Sequence, residues 1–177
     1  MDYSALSRIK LFLLDMEGTF YAGGKLLPGS KRFLEAIGEQ GADYLFMTND
    51  SSLNRYEYAA KLGAMGLETP HTKVLTSGYA TCAYLKRRQP DAKVYLVGTP
   101  ALQDEFIRER IDVVNTMPDY IVLGFDTTLT YRKLSSLCQY CLLYTASNAR
   151  GSPGSPSPGG PCSPRRTGTC RPRARSR

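Results

Sequence analysis

Between Ile9 and Leu143, short apolar runs alternate with stretches in which apolar residues recur every three or four positions. Ile9 to Leu14 reads as a buried strand ending at Asp15. Gly18 to Leu27 has the glycines and polarity of a loop or small hairpin. Ser30 is placed to cap a helix running to about Gln40, with Phe33, Leu34 and Ile37 on its apolar face and Gly41 beyond its end. Tyr44 to Met47 is the next strand, closing on Thr48-Asn49-Asp50, and a helix from about Asn54 to Met65 follows. Val74 and Leu75 make a short strand, and Ser77 opens a helix to about Arg88.

The order then repeats: strand at Val94 to Val97, helix at Leu102 to Arg110, strand at Tyr120 to Leu123, helix at Thr130 to Leu143. Alternating strands and helices predict an α/β protein with a parallel, doubly wound sheet. Such sheets hold their sites beyond the carboxyl ends of the strands. Asp15 and Thr48 both stand at such ends, so they face one crevice if their strands are neighbours.

Locating the charge sharpens this reading. The chain of 177 residues carries a formal charge of +7, from 23 Lys+Arg against 16 Asp+Glu. Residues 149–177 hold seven Arg and no acid, so residues 1–148 are neutral overall. That tail is rich in Pro, Gly and Ser and has no Leu, Ile, Val or aromatic residue, so it is expected to be disordered. Its arginines suggest nucleic-acid contacts, but no aromatic residue is present to stack on bases, which weighs against that partner.

No run approaches the ~18 apolar residues of a membrane span. The short run Leu11 to Leu14, closed by an acid, does not make a signal peptide. A cytoplasmic location with reduced thiols is therefore expected. Cys138-x-x-Cys141 lies in a helical pattern with no second pair nearby and reads as two small buried hydrophobes. The single histidine, His71 beside Pro70, reads as a surface loop residue.

The chemistry concentrates in two segments. Leu13-Leu14-Asp15-Met16-Glu17-Gly18-Thr19 sets one carboxylate at a strand end and a second two residues on. A carboxylate can attack phosphorus, and a second can protonate the leaving oxygen and then activate water. Gly18 permits a sharp turn that brings backbone N–H groups toward a phosphate. Leu45-Phe46-Met47-Thr48-Asn49-Asp50-Ser51-Ser52 ends a second strand in hydroxyl and amide groups suited to a phosphoryl oxygen. Either segment alone also suits a plain turn or a helix cap. The pair in this order is the specific signal.

Together they resemble the haloacid dehalogenase (HAD) superfamily of phosphatases, and within it subfamily IIA, the p-nitrophenylphosphatase-like branch. The resemblance runs from about Lys10 to Asn148 and includes Leu27-Pro28-Gly29, Thr76-Ser77, Val94 to Gly98, Asp119 to Asp126, Tyr131-Arg132-Lys133-Leu134 and Thr145-Ala146-Ser147-Asn148. It implies a Rossmann-like core with an incomplete parallel sheet over residues 1–84. A partial α/β cap would occupy 85–148, including Gly124-Phe125-Asp126, with the tail at 149–177. It also implies that Asp15 is the nucleophile and a Mg²⁺ ligand, and that Glu17 is the general acid/base with its backbone carbonyl on the metal. Thr48, Asn49 and Gly18 would bind the phosphoryl group of a small phosphorylated metabolite.

Two departures from the family pattern matter. Glu17 stands where the family usually has Asp, and a displacement of ~1 Å costs on the order of 100-fold in rate. The family's third motif, with a Lys, and its fourth, with acidic metal ligands, have no counterpart in the Pro/Arg tail. The abrupt change at Asn148 reads as a truncated or frame-shifted product, with impaired catalysis or a non-catalytic fragment as the consequence. Without later strands, Ile9 to Asp15 is expected to be an exposed, aggregation-prone edge.

Overall fold

The computed structural model describes residues 8–149, with side chains described as far as Tyr144. The tail, for which disorder is expected, lies outside the described residues.

The first α/β unit is built on three parallel strands. They are β1 (Leu11–Asp15), β4 (Asp43–Thr48) and β5 (Val74–Thr76), in the spatial order β1-β4-β5. The register sets Leu13 opposite Leu45, Asp15 opposite Met47, and Thr48 opposite Thr76. A small antiparallel hairpin, β2 (Tyr21–Ala22) and β3 (Lys25–Leu26), follows β1. The connections are α1 (Ser30–Glu39) and α2 (Arg55–Ala64), and a 3-10 turn at His71–Lys73 precedes β5. His71 is half-buried there, stacked 4.2 Å from the ring of Tyr56.

Local chemistry explains the helix starts. Asn54 accepts from the Glu57 N–H while Glu57 accepts from the Asn54 N–H, a reciprocal capping box on α2. Thr76 and Thr99 cap α3 (Ser77–Arg88) and α4 (Pro100–Arg108) through their hydroxyls. Ser30 does not cap α1 as its residue type suggests. Gly29, at φ 90°, occupies the cap position, and the buried Ser30 hydroxyl instead donates to the Phe20 carbonyl at 2.8 Å. Satisfying a carbonyl inside the core is worth more than an exposed cap.

Leu14, Phe46 and Val74 pack with Ile37 of α1 and with Tyr58 and Leu62 of α2 in one core. Both helices therefore cover the same sheet face. Leu11 and Leu13 point the other way and are 52% and 60% exposed, so among the described residues β1 is buried on one face and pairs with β4 alone. The buried strand read from this run is thus buried on one face, and among the described residues it forms the exposed apolar edge expected there. An exposed apolar edge strand invites association, which charge on that edge suppresses. Leu13→Lys is expected to raise the monomeric fraction in size-exclusion chromatography with light scattering, without a loss of helix content.

The second unit carries its own parallel sheet, ordered β7-β6-β8, from β6 (Lys93–Val97), β7 (Asp112–Val113) and β8 (Tyr120–Leu123). β7 is too short to show a period and has no signature in the sequence pattern. Helix α3 leaves the first sheet but contributes Cys82 and Leu85 to the second core, with Val94, Leu102, Phe106 and Ile111. The expected division between residues 84 and 85 thus falls inside α3. Cys82 is fully buried, and burial, helped by Glu105 and Glu109, pushes its thiol up to about 12. Native Cys82 is therefore expected to resist maleimide at pH 8 while Cys138 reacts, as peptide mapping would show.

Helix α5 (Tyr131–Ala149) runs beyond the expected end at Leu143 and packs on β6. Cys138 and Cys141 are exposed on it, against the expectation of burial. Two tyrosines of the helix make the contacts to the second unit instead. Tyr140 packs 4.9 Å from the Tyr95 ring and bonds to the Asn115 carbonyl, and Tyr144 bonds to the Pro118 carbonyl. No helix among the described residues is long and apolar enough to cross a membrane.

Candidate active site

Asp15 ends β1 and is exposed, whereas the next residue, Met16, is fully buried and anchors the loop. The loop winds around the Met16 carbonyl, which accepts from the N–H groups of Phe20 at 2.8 Å and Tyr21 at 3.2 Å. Gly18 has φ 81°, the left-handed region that costs an L residue about 1–2 kcal/mol. Its N–H donates to the Tyr21 carbonyl at 2.8 Å. The turn brings the Thr19 hydroxyl back to Asp15, where it donates to Oδ2 at 3.1 Å. That bond orients the carboxylate and leaves Oδ1 for other chemistry.

Because β1 and β4 pair in parallel, Thr48 ends its strand beside Asp15, at the carboxyl edge of the sheet. Thr48 Oγ1 accepts from the Asp50 N–H at 3.1 Å, so the hydroxyl proton is directed elsewhere. The Asn49 carbonyl accepts from Ser77 Oγ at 2.9 Å, tying the loop to α3. Asp50 faces back into the loop and accepts from the backbone and hydroxyl of Ser52, at 2.7 and 3.0 Å. Burial works against its charge, but these bonds outweigh burial and hold its carboxyl below the usual range. Burial, with Asp50 adding to it, pushes the Tyr58 phenol upward, so Tyr58 stays a neutral donor to the Asp50 carbonyl. A cavity of about 430 Å³ opens beside Thr48 and Asn49, walled by Met47, Leu75 and Tyr84.

Glu17 has a partner that no local pattern announces. Lys61 of α2 lies 3.6 Å from Glu17 Oε2 and 4.7 Å from the centre of the Tyr21 ring. Lys61 belongs to the apolar-periodic stretch of a different helix, so only packing reveals the pair. Both side chains are partly exposed, which limits such a pair to ~1 kcal/mol or less. Thr19 was present in the sequence motif, and its reach to Asp15 follows from the four-residue turn closed at Gly18.

Asp15 offers a carboxylate, and the Glu17 backbone a carbonyl, as hard oxygen donors. Among the described residues, no three His, Cys, Asp or Glu side chains gather in a way that could hold a metal ion. This donor set fits a cation such as Mg²⁺, which takes one or two carboxylates and fills its remaining positions with water and substrate phosphate.

A family model described as haloacid dehalogenase-like hydrolase matches residues 12–111, from β1 through the second core. The chain belongs to this family. Its relatives place it in subfamily IIA. An acid sugar phosphatase of Staphylococcus saprophyticus is 31% identical over 132 residues, which is 74% of this chain and 51% of that protein. A 4-nitrophenylphosphatase from Thermotoga maritima superimposes with a TM-score of 0.74 at 42% identity, covering 77% of this chain and 52% of that one. A glycerol phosphate phosphatase from Mycobacterium tuberculosis, solved in complex with magnesium, gives a TM-score of 0.67 at 26% identity over 75% of this chain and 41% of that one. The HAD chain described here thus spans about half the length of the relatives it matches.

Proposed function

We propose that this HAD chain has the chemistry of a Mg²⁺-dependent phosphomonoester hydrolase acting through an aspartyl-phosphate on a small phosphorylated metabolite. The observation that carries the reading is the parallel pairing of β1 with β4, which seats Asp15 and Thr48 at adjacent strand ends. Residues 1–84 would form the catalytic core and 85–148 the cap that selects the substrate. A cytoplasmic location is part of this reading and accords with reduced thiols at Cys82 and Cys138.

In this mechanism the free Oδ1 of Asp15 attacks phosphorus while Thr19 holds Oδ2. The ester P–O bond breaks, and the leaving oxygen takes a proton from Glu17. Glu17 then removes a proton from water, the water oxygen attacks phosphorus, and the P–O bond to Asp15 breaks. Phosphate leaves and both carboxyl groups return to their starting states. The Thr48 hydroxyl and the Asn49 backbone amide bind phosphoryl oxygens throughout. Mg²⁺, held by Asp15 and the Glu17 carbonyl, would offset the repulsion between carboxylate and phosphate. Gly18 keeps the loop backbone close enough to share in phosphate binding.

A weaker hydrolase than its relatives is expected, because among the described residues no three acids gather for the cation and Glu17 is drawn toward Lys61. The same lack of an acidic cluster favours a second reading, a chain that binds phosphate without turning it over. Hydrolysis of p-nitrophenyl phosphate that EDTA abolishes supports the first reading. Phosphate binding with no metal-dependent turnover supports the second.

A further inference from the structure

In an open α/β sheet, ligands enter where the strand order reverses, beyond the carboxyl ends of the strands. In the second sheet that point lies between β6 and β8, which lead into Gly98-Thr99 and Gly124-Phe125. A segment of the chain itself occupies this place. The Phe125 N–H donates to the buried Ser51 hydroxyl at 2.8 Å, and the Thr99 hydroxyl donates to the Ser52 carbonyl at 2.8 Å. The two jaws are tied together by Lys133, whose Nζ donates to the Gly98 carbonyl at 2.9 Å and to the almost fully buried Asp126 carboxylate at 2.7 Å. Glycine at 124 is required for the close approach, since a Cβ there would lie 2.9 Å from Ser51 Oγ and 2.4 Å from Leu102.

The gripped residues lead directly to the phosphoryl site. Ser52 donates to Asp50, and the Asp50 N–H donates to Thr48 Oγ1. We propose that the loops closing β6 and β8 are positioning elements for the loop after β4, and that Ser51 and Thr99 set the aim of the Thr48 hydroxyl from the second α/β unit. This goes beyond the family's reaction chemistry, and it rests on the phosphohydrolase reading only for what the loop binds. Neither Ser51 nor Thr99 touches substrate in this scheme. They act through Thr48.

The test uses the full chain, with amide hydrogen exchange across 49–52 and titration with inorganic phosphate. Ser51→Ala leaves the Phe125 N–H without its partner. It is expected to speed exchange of the Asp50 and Ser52 amides and to weaken phosphate binding, each roughly tenfold, with exchange elsewhere unchanged. Thr99→Asn keeps a capping side chain for α4 but removes the hydroxyl that reaches Ser52, and should act in the same direction. Thr99→Ser, which keeps that hydroxyl, should behave as wild type. Unchanged loop exchange, or faster exchange spread over the whole chain, would overturn the proposal. Faster loop exchange with unaltered phosphate affinity would also overturn it, reducing the contact to simple packing. If the wild type binds no phosphate, the phosphohydrolase reading fails, and local exchange in Ser51→Ala alone then decides whether the second unit orders the loop.

Discussion

Glu105→Gln is expected to lower the unfolding free energy by about 3 kcal/mol, measured by urea denaturation, because it leaves a buried guanidinium without its main counter-charge. The Glu105 side chain is 1% exposed. Its Oε1 accepts from Arg55 Nε at 2.9 Å, and its Oε2 accepts from the Arg55 backbone N–H at 2.9 Å and from Thr76 Oγ1 at 3.3 Å. Arg55 also reaches Glu109 at 2.6 Å and lies 3.5 Å over the Tyr79 ring. Burial works against the Arg55 charge, but the bond to Glu105 and the fields of Glu105 and Glu109 outweigh it and raise its proton affinity.

This cluster joins α2 of the first unit to α4 of the second, so it carries more than local stability. A single cooperative transition in wild type that becomes two in Glu105→Gln would show that the cluster couples the units. Arg55→Met combined with Glu105→Leu removes both charges at similar volume and is expected to recover most of the loss. A double variant no more stable than Glu105→Gln would assign the effect to packing instead of charge.

Asp15→Asn is expected to reduce p-nitrophenyl phosphate hydrolysis by about a thousandfold or more, down to background, because an amide is no nucleophile toward phosphorus. The substitution is nearly isosteric. Asp15 is exposed at a strand end, and the bond it accepts from Thr19 can be accepted equally well by an amide oxygen. The melting temperature should therefore stay within a few degrees of wild type. Residual turnover in Asp15→Asn that keeps its dependence on Mg²⁺ would place the nucleophile elsewhere. Turnover insensitive to EDTA would remove the cation from the mechanism.

Much of the fold is legible in the sequence. The alternation of runs located the principal strands and, among the described residues, α1 to α5, because each helix has enough residues to display its period. Acids and hydroxyls following apolar runs put Asp15 and Thr48 at strand ends, and the parallel pairing of β1 with β4 makes those ends neighbours; the roles given to Asp15, Glu17, Gly18, Thr48 and Asn49 belong to the proposed function. Signals failed where they depended on the surroundings. β7 has two residues and no period. Ser30 has the chemistry of a cap but found a buried carbonyl. Cys138 and Cys141 sit in an apolar pattern, yet they are exposed, and it is Tyr140 of α5 that packs on Tyr95.

The sequence by itself determined the α/β class, the neutral charge of residues 1–148 and the two segments to which the proposed chemistry is assigned, because these depend on residue type and spacing along the chain. Only the tertiary structure decided which strands are neighbours, that β1 is covered on a single face among the described residues, that Lys61 stands beside Glu17, and that Thr99 and Phe125 bond to the loop after β4. Each of those depends on contacts between residues far apart in sequence, for which no local period or motif exists.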